Sequence, residues 1–222
     1  MNETFLNSAY FWRVTTHLGA SGLLLPVFVA QLLALWSSQR AAARRWLIGL
    51  GLTVLVTLVS KCLFWGWGIG SASLDFTGIS GHTMLATSIL PVFFCLRIPA
   101  DSNHLRHLGT TFGLLLAVGV GFSRIVLGAH SVSEVFAGWL IGLAVSTVTI
   151  RALVNSVQPS LPAQFSALLL LFAFSGSTAN FLQTHNWEVK LALLLSVHNK
   201  PFTRHQLRQQ NKPPELLGLM PF

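Results

Sequence analysis

Charged side chains are scarce in this sequence. Asp, Glu, Lys and Arg make up 9% of its 222 residues, whereas hydrophobic residues make up 52%. A mean hydropathy of +0.63 excludes an ordinary soluble domain and indicates an integral membrane protein. The basic excess, 14 Lys and Arg against six Asp and Glu, is scattered among connecting segments. We therefore expect contact with anionic lipid headgroups and no nucleic acid partner.

Cysteine is also scarce, and no basic N-terminal stretch is present. Cys62 and Cys95 lie in different apolar segments that should approach opposite membrane faces. We expect two buried thiols rather than a disulfide. Because Glu3 stands where a signal peptide would carry basic residues, we expect the first apolar run to remain in the protein.

Long apolar runs predict an all-α bundle of six transmembrane helices. The first, Leu18 to Gln39, contains no charged residue and exceeds the roughly 20 residues that a membrane-spanning helix needs. The third to fifth runs are short, so we expect their ends to extend into the polar residues beside them. We predict a membrane domain over residues 1–184 and a basic tail over residues 185–222. The other runs are Trp46–Gly70, Thr83–Leu96 extended upstream through Ser80, Leu108–Ser123, Val135–Ile150 and a sixth within Ala163–Leu182.

Basic residues predict the orientation of the bundle. Arginines at positions 40, 44, 45, 97, 106 and 151 lie in three connections on one side, which the positive-inside tendency assigns to the cytoplasm. The opposite side would be the periplasm of a bacterial inner membrane. Six spans would also place the basic tail there, against this tendency. Two alternatives remain for the tail: a solvated, poorly ordered end, or an interfacial amphipathic segment around Leu191–Val197.

Several polar residues lie at the outward ends of these runs. Ser80-Gly81-His82 begins the third run, where a helix start offers free N–H groups and a positive dipole to an anion. Gly81 allows close backbone approach, and His82 can transfer a proton. The alternative is a helix-capping serine beside a packed histidine.

A second cluster joins the fourth and fifth runs. The planar guanidinium of Arg124 can grip phosphate oxygens in pairs, and Ser123 adds a hydroxyl. His130 is predicted to open the fifth helix, with Glu134 four residues later on the same face. A carboxylate on one ring nitrogen would leave the other free to attack phosphorus. An ordinary polar pair at a helix end is the alternative.

Two more charged residues lie on the same side. Lys61 is inside the second run, where an ammonium either faces a polar cavity or extends its stem towards the interface. Asp75 lies in the following loop. It could hold Lys61 or Arg124 by charge, or it could serve a turn.

In this order and spacing, these residues resemble the three motifs of the type 2 phosphatidic acid phosphatase superfamily: Lys-x6-Arg-Pro, Pro-Ser-Gly-His and Ser-Arg-x5-His-x3-Asp. The resemblance runs from about residue 61 to residue 138. It implies that His130 forms a phosphohistidine, that Glu134 orients it, and that His82 is the general acid. It also implies no metal and no cofactor. The phosphoryl oxygens would be bound by Lys61, Ser80, Gly81, Ser123 and Arg124.

The chain departs from these motifs at three places. Gly68-Ile69 stand where the first motif has Arg-Pro, so one cationic ligand is missing. Ile79 replaces the proline before Ser-Gly-His, which changes loop stiffness. Glu134 replaces Asp and is longer by one methylene, so the pairing with His130 needs a small helix adjustment.

The sequence thus predicts a membrane enzyme that hydrolyses a lipid phosphomonoester or an isoprenyl pyrophosphate at the periplasmic face. Undecaprenyl pyrophosphate, phosphatidylglycerol phosphate and phosphatidic acid are the candidate substrates that the resemblance implies. One alternative is a lipid phosphotransferase. Another is a non-catalytic lipid binder or transporter of the same fold, which the loss of the arginine at Gly68 favours and the intact histidines disfavour.

Overall fold

The regular elements of the protein are α-helices wherever the structure, a computed structural model, describes the chain. The described residues are 3–98, 102–153, 184–196 and 198–210. The predicted all-α class is confirmed over these ranges. In chain order the helices are α1 Glu3–His17, α2 Ser21–Ser38, α3 Arg40–Trp67, α4 Gly81–Cys95, α5 Asn103–Val126, α6 Val132–Ala152, α7 Thr184–Ser196 and α8 Arg204–Gln210.

Five of the predicted spans coincide with helices α2 to α6. Among the described residues, four stretches are long and apolar enough to cross a membrane: Tyr10–Ser38, Arg40–Trp67, Asn103–Val126 and Val132–Ala152. Helix α4 is apolar but has 15 residues, about 22 Å at 1.5 Å per residue and short of a full hydrocarbon core. The sixth run, within Ala163–Leu182, lies outside the described residues, so the count of six stays a prediction.

Glycines let α4 pack tightly between α5 and α6. A Cβ atom on Gly113 of α5 would lie 2.6 Å from the carbonyl oxygen of Leu90 in α4. On the other side, a Cβ on Gly142 of α6 would lie 2.7 Å from the Cβ of Thr87. Small residues at such crossings permit backbone approach that larger side chains prevent. Helix α4 is therefore the centre of the bundle, and its start is fixed relative to both neighbours.

A buried tryptophan ties α2 and α3 to this centre. The indole of Trp46 is fully buried and donates a hydrogen bond of 3.2 Å to the carbonyl oxygen of Ser88. Phe28 packs against it edge-on, with ring centroids 4.8 Å apart. A tryptophan buried in an apolar core needs such a partner for its N–H group. Residues on the outer faces, such as Leu115 at 64% exposure, are apolar, as expected of helices that contact lipid.

The α3–α4 loop and the start of α6 meet at one end of the bundle. The backbone N–H of Ser80 donates to the carbonyl oxygen of Glu134 at 3.2 Å. The hydroxyl of Ser133 donates to the carbonyl oxygen of Leu74 at 2.7 Å. These bonds bring both predicted motif clusters to the same end.

Candidate active site

A cavity of about 540 Å³ opens at this end of the bundle. Its wall combines the ends of α3, α4 and α5 and the α3–α4 and α5–α6 connections with residues of the C-terminal segment, 184–196 and 198–210. Five of the predicted site residues line it: Lys61, Gly81, His82, Arg124 and His130.

The centre of the site is a pair formed by His130 and Glu134. The Nδ1 atom of His130 lies 2.7 Å from Oε2 of Glu134. His130 does not open α6, contrary to the sequence prediction, because the helix begins at Val132 with Ser131 as its N-cap. Glu134 reaches back over this first turn as part of a capping box, accepting from the backbone N–H of Ser131 at 3.1 Å. The first turn of α6 therefore orients the carboxylate of Glu134 towards His130.

Glu134 is completely buried and accepts hydrogen bonds on both oxygens. The backbone N–H and the hydroxyl of Thr77 each donate to Oε1 at 2.6 Å. Buried carboxylates need such partners, since an uncompensated charge in an apolar interior is very costly. The α3–α4 loop thus fixes the carboxylate from the side opposite His130.

Burial favours the uncharged form of His130. It lowers the pKa of His130 below its ordinary value of 6.5, although the hydrogen bond with Glu134 acts in the opposite direction. Arg124 and Lys61 also favour the neutral ring by charge. A neutral imidazole whose Nδ1–H is held by a carboxylate presents Nε2 as a nucleophile or base.

Arg124 turns one edge of its guanidinium to the protein. Its Nη1 atom donates to the hydroxyl of Thr16 in α1 at 2.9 Å. Its Nε atom is buried and has no hydrogen-bond acceptor among the described residues. A buried N–H donor without an acceptor is costly unless a ligand supplies one, and a phosphate oxygen suits this donor.

Two predicted phosphate ligands turn their hydroxyls into the protein. Ser80 is fully buried, and its hydroxyl lies 2.9 Å from that of Thr83. Ser123 is also buried and donates to the carbonyl oxygen of Val120 at 2.6 Å. Both stand directly before a residue that lines the cavity. Their direct contact with phosphate stays a prediction.

Lys61 is paired within the protein. Its Nζ atom lies 2.8 Å from Oε2 of Glu188 in α7 and 5.7 Å from the ring centroid of Trp65. The sequence left open a charge pair of Asp75 with Lys61 or Arg124. In the structure Asp75 pairs instead with two C-terminal arginines. Its backbone adopts a left-handed turn, φ 50°.

The C-terminal arginines were not identified from the sequence as site residues. Arg204 lines the cavity, and its Nη2 atom lies 2.8 Å from each oxygen of Glu134. Arg208 contacts Asp75 through Nε and Nη2, at 3.0 and 2.7 Å. A hydrogen bond from Arg208 is the main cause that holds the pKa of Asp75 below its ordinary value of 3.8. One feature of the sequence could have indicated their role. Acidic residues are scarce and a buried carboxylate needs a cation, so the basic residues of the tail were candidate partners for Asp75 and Glu134.

The chain is similar to known proteins over most of its length. A model of the PAP2 superfamily matches residues 67–158. The chain is similar to an uncharacterized 22.5 kDa protein in the cps region of Klebsiella pneumoniae, with 34% identity over 90% of this chain and 98% of that protein. It is also similar to phosphatidylglycerophosphatase B of Bacillus subtilis, with 34% identity over 58% of this chain and 66% of the relative. No solved structure matches the chain at a significant level.

The chain belongs to the type 2 phosphatidic acid phosphatase superfamily. The matched region contains the second and third motifs, from Ser80 to Glu134, and begins six residues after Lys61. Of the first motif it includes Gly68 and Ile69, which stand in place of Arg-Pro.

Proposed function

We propose that this protein is a membrane lipid phosphatase that works through a phosphohistidine on His130. The observation that carries the proposal is the contact of 2.7 Å between His130 and the buried Glu134, on the wall of a cavity that His82 and Arg124 also line. A nucleophile, its orienting carboxylate and a second proton-transfer group around one cavity are the parts that covalent phosphoryl transfer needs.

The first step transfers the phosphoryl group to the protein. Nε2 of His130 attacks phosphorus while the bond from phosphorus to the leaving oxygen breaks. His82 donates a proton to that oxygen, so the lipid alcohol or lipid phosphate departs neutralised. Glu134 holds the Nδ1–H group and stabilises the positive charge that develops on the ring.

The second step releases inorganic phosphate. His82, now deprotonated, takes a proton from a water molecule that attacks phosphorus. The phosphorus–nitrogen bond breaks, and its electron pair returns to His130. Arg124, Lys61 and the backbone N–H groups at the start of α4 would bind the equatorial oxygens, where charge accumulates during transfer.

A lipid substrate agrees with the location of the cavity at one end of a bundle of apolar helices. The headgroup would enter the cavity while the acyl or prenyl chain stays in the bilayer. Undecaprenyl pyrophosphate, phosphatidylglycerol phosphate and phosphatidic acid are the candidate substrates, and the name of the Bacillus subtilis relative favours the second. The distribution of arginines supports a periplasmic site in a bacterial inner membrane.

The test is phosphate release from these three lipids by purified protein in detergent, with EDTA present. The His130→Ala variant should lose activity to background. His104→Ala removes an exposed imidazole at the start of α5 and should leave activity unchanged. Full activity in His130→Ala would show that another residue is the nucleophile, and loss of wild-type activity in EDTA would show that the reaction needs a metal.

A labelling experiment tests the intermediate itself. Protein quenched during turnover of ³²P-labelled phosphatidic acid should carry a label that is stable in alkali and lost in acid, the behaviour of a phosphorus–nitrogen bond. The label should be absent from His130→Ala. A label stable in acid would indicate a phosphoester and refute the phosphohistidine.

A further inference from the structure

The C-terminal segment is anchored directly beside the motif residues. Helix α7 packs on the end of α3 so closely that a Cβ on Gly66 would lie 2.9 Å from the Cβ of Ser196. The backbone N–H of Phe202 donates to the carbonyl oxygen of Trp65 at 3.0 Å. These contacts hold the segment over the cavity and place α8 at its edge.

At position 68, where the first motif has an arginine, the C-terminal segment fills the space that a side chain would need. Gly68 ends α3 in a left-handed conformation, φ 70°, and a Cβ there would lie 2.9 Å from the ring of Phe202. A side chain at this position would collide with the segment, so an arginine could not occupy it without displacing Phe202. Two residues beyond Phe202, the segment supplies an arginine of its own.

Arg204 connects the segment to the centre of the site. Its Nη2 atom contacts both oxygens of Glu134 at 2.8 Å and the hydroxyl of Thr77 at 3.0 Å. Its Nη1 atom contacts Oδ2 of Asp75 at 2.8 Å. The guanidinium therefore spans two carboxylates, one of which is fully buried against His130. The fixed planar fork of arginine suits such a bridge, whereas the single ammonium of a lysine cannot span it.

We propose that Arg204 is a positioning residue, which acts through Glu134 on His130. This inference rests on the proposed function, because it assigns the residue a role in the reaction of His130. The bridge fixes the rotamer of the carboxylate, so that Oε2 stays on Nδ1. It also compensates the charge of Glu134, so the carboxylate stabilises a protonated His130 less and the ring stays neutral and nucleophilic.

The groups facing His130 set the expected direction of a pH effect. Glu134 favours the protonated ring, while burial, Arg124 and Lys61 favour the neutral one; His82 lies on the wall of the same cavity. Removal of Arg204 would leave Glu134 with a less compensated charge, and the pKa of His130 should rise. Because the neutral ring attacks, the acid limb of the rate profile should move to higher pH.

The experiment compares Arg204→Ala with Arg208→Ala. Arg208 is 61% exposed and contacts the same Asp75 without reaching Glu134, so it is a matched control. With dioctanoyl phosphatidic acid as substrate, Arg204→Ala should lower kcat about 10- to 100-fold, as expected when a reacting group is misplaced. Its acid limb should shift upwards, and methylguanidinium should restore part of the rate. Arg208→Ala should retain the wild-type profile.

A readout independent of activity is the NMR titration of the His130 ring, whose signal is identified by its loss in His130→Ala. The pKa of His130 should rise in Arg204→Ala. It should rise by a smaller amount in Arg204→Lys, which keeps the positive charge and serves as the second variant if Arg204→Ala fails to fold. If the His130 titration in Arg204→Ala is the same as in Arg208→Ala, the proposal is overturned. It is also overturned if Arg204→Ala raises KM but leaves kcat and the pH profile unchanged, since that result identifies Arg204 as a direct phosphate ligand. If wild-type protein releases no phosphate from any tested lipid, the proposed function fails, while the titration still decides whether Arg204 controls His130.

Discussion

The two walls of the cavity are built in different ways. The motif wall, residues 77–82 and 124–134, is fixed by the glycine contacts of α4 and by the helix start that orients the buried Glu134. The C-terminal wall, residues 184–196 and 198–210, is held by the packing of α7 on Gly66 and by ion pairs to Lys61, Asp75 and Glu134. The first wall can hold reacting groups rigidly, whereas the second contributes charge and meets the first at Glu134. Changes to the motif wall should therefore act mainly on chemistry. Changes to the C-terminal wall should act on binding, except at Arg204, which contacts Glu134 and should affect chemistry as well.

The largest effect is expected where the two walls meet. Glu134→Gln keeps the size of the side chain but removes the carboxylate that fixes the His130 tautomer. We expect kcat to fall about 10³- to 10⁴-fold, the scale found when a histidine loses its orienting carboxylate. Phosphate release measures this, and Glu134→Asp should retain more activity because it keeps the charge at a shorter reach. Equal loss in both variants would mean that distance, not charge, governs the pair.

The rigidity of the motif wall can be tested at the α4–α6 crossing. A Cβ on Gly142 would lie 2.7 Å from Thr87 Cβ and 2.8 Å from Met84 O, whereas Gly51 on α3 has no atom within 4 Å of its Cβ position. Gly142→Ala should lower the free energy of unfolding in detergent by about 1–3 kcal/mol through overpacking. Gly51→Ala should be neutral or stabilising, since alanine favours the helix. Equal stability of the two variants would show that α4 and α6 can move apart to accommodate the added methyl group.

Much of the motif wall could be predicted from the sequence because its information is local. Continuous apolar runs specify α2 to α6, and the motif residues Ser80 to His82 and Arg124 to Glu134 lie at the ends of those runs. The sequence misplaced the start of α6, because the pattern of polar residues does not distinguish an N-cap at Ser131 from a first turn at His130. The directions of the Ser80 and Ser123 hydroxyls depend on local rotamers that spacing does not reveal.

The C-terminal wall could not be predicted because its contacts join residues far apart in the chain. Arg204 and Glu134 are 70 positions apart, and Lys61 and Glu188 are 127 apart. Neither pair has a periodic or motif-like spacing. The glycine at position 68 was visible as a missing arginine, but its left-handed backbone and the ring of Phe202 above it become evident only in the folded chain.

Gly68 allows the attachment of the C-terminal wall to be measured separately from backbone strain. Gly68 and Gly128 have similar left-handed backbones, φ 70° and 65°, but the Cβ position of Gly128 has no atom within 4 Å. Gly128→Ala should therefore lose about 1–2 kcal/mol of stability from backbone conformation alone. Gly68→Ala should lose more, because the new methyl group also displaces Phe202. Thermal unfolding of both variants measures the difference, and Phe202→Ala in the Gly68→Ala background should remove it.

The smallest effect is expected at Glu188, on the side of the C-terminal wall that faces Lys61. The Glu188 carboxylate lies 2.8 Å from Lys61 Nζ, the atom proposed to bind a phosphoryl oxygen, so substrate must compete with it. Glu188→Gln should lower KM for dioctanoyl phosphatidic acid about 2- to 5-fold, the scale of a partly exposed ion pair, with kcat nearly unchanged. Lys190→Ala, at an exposed position of the same helix, is the control and should leave KM as it is. A higher KM in Glu188→Gln would mean instead that Glu188 aims Lys61 at the substrate, and the C-terminal wall would then share in phosphate binding rather than oppose it.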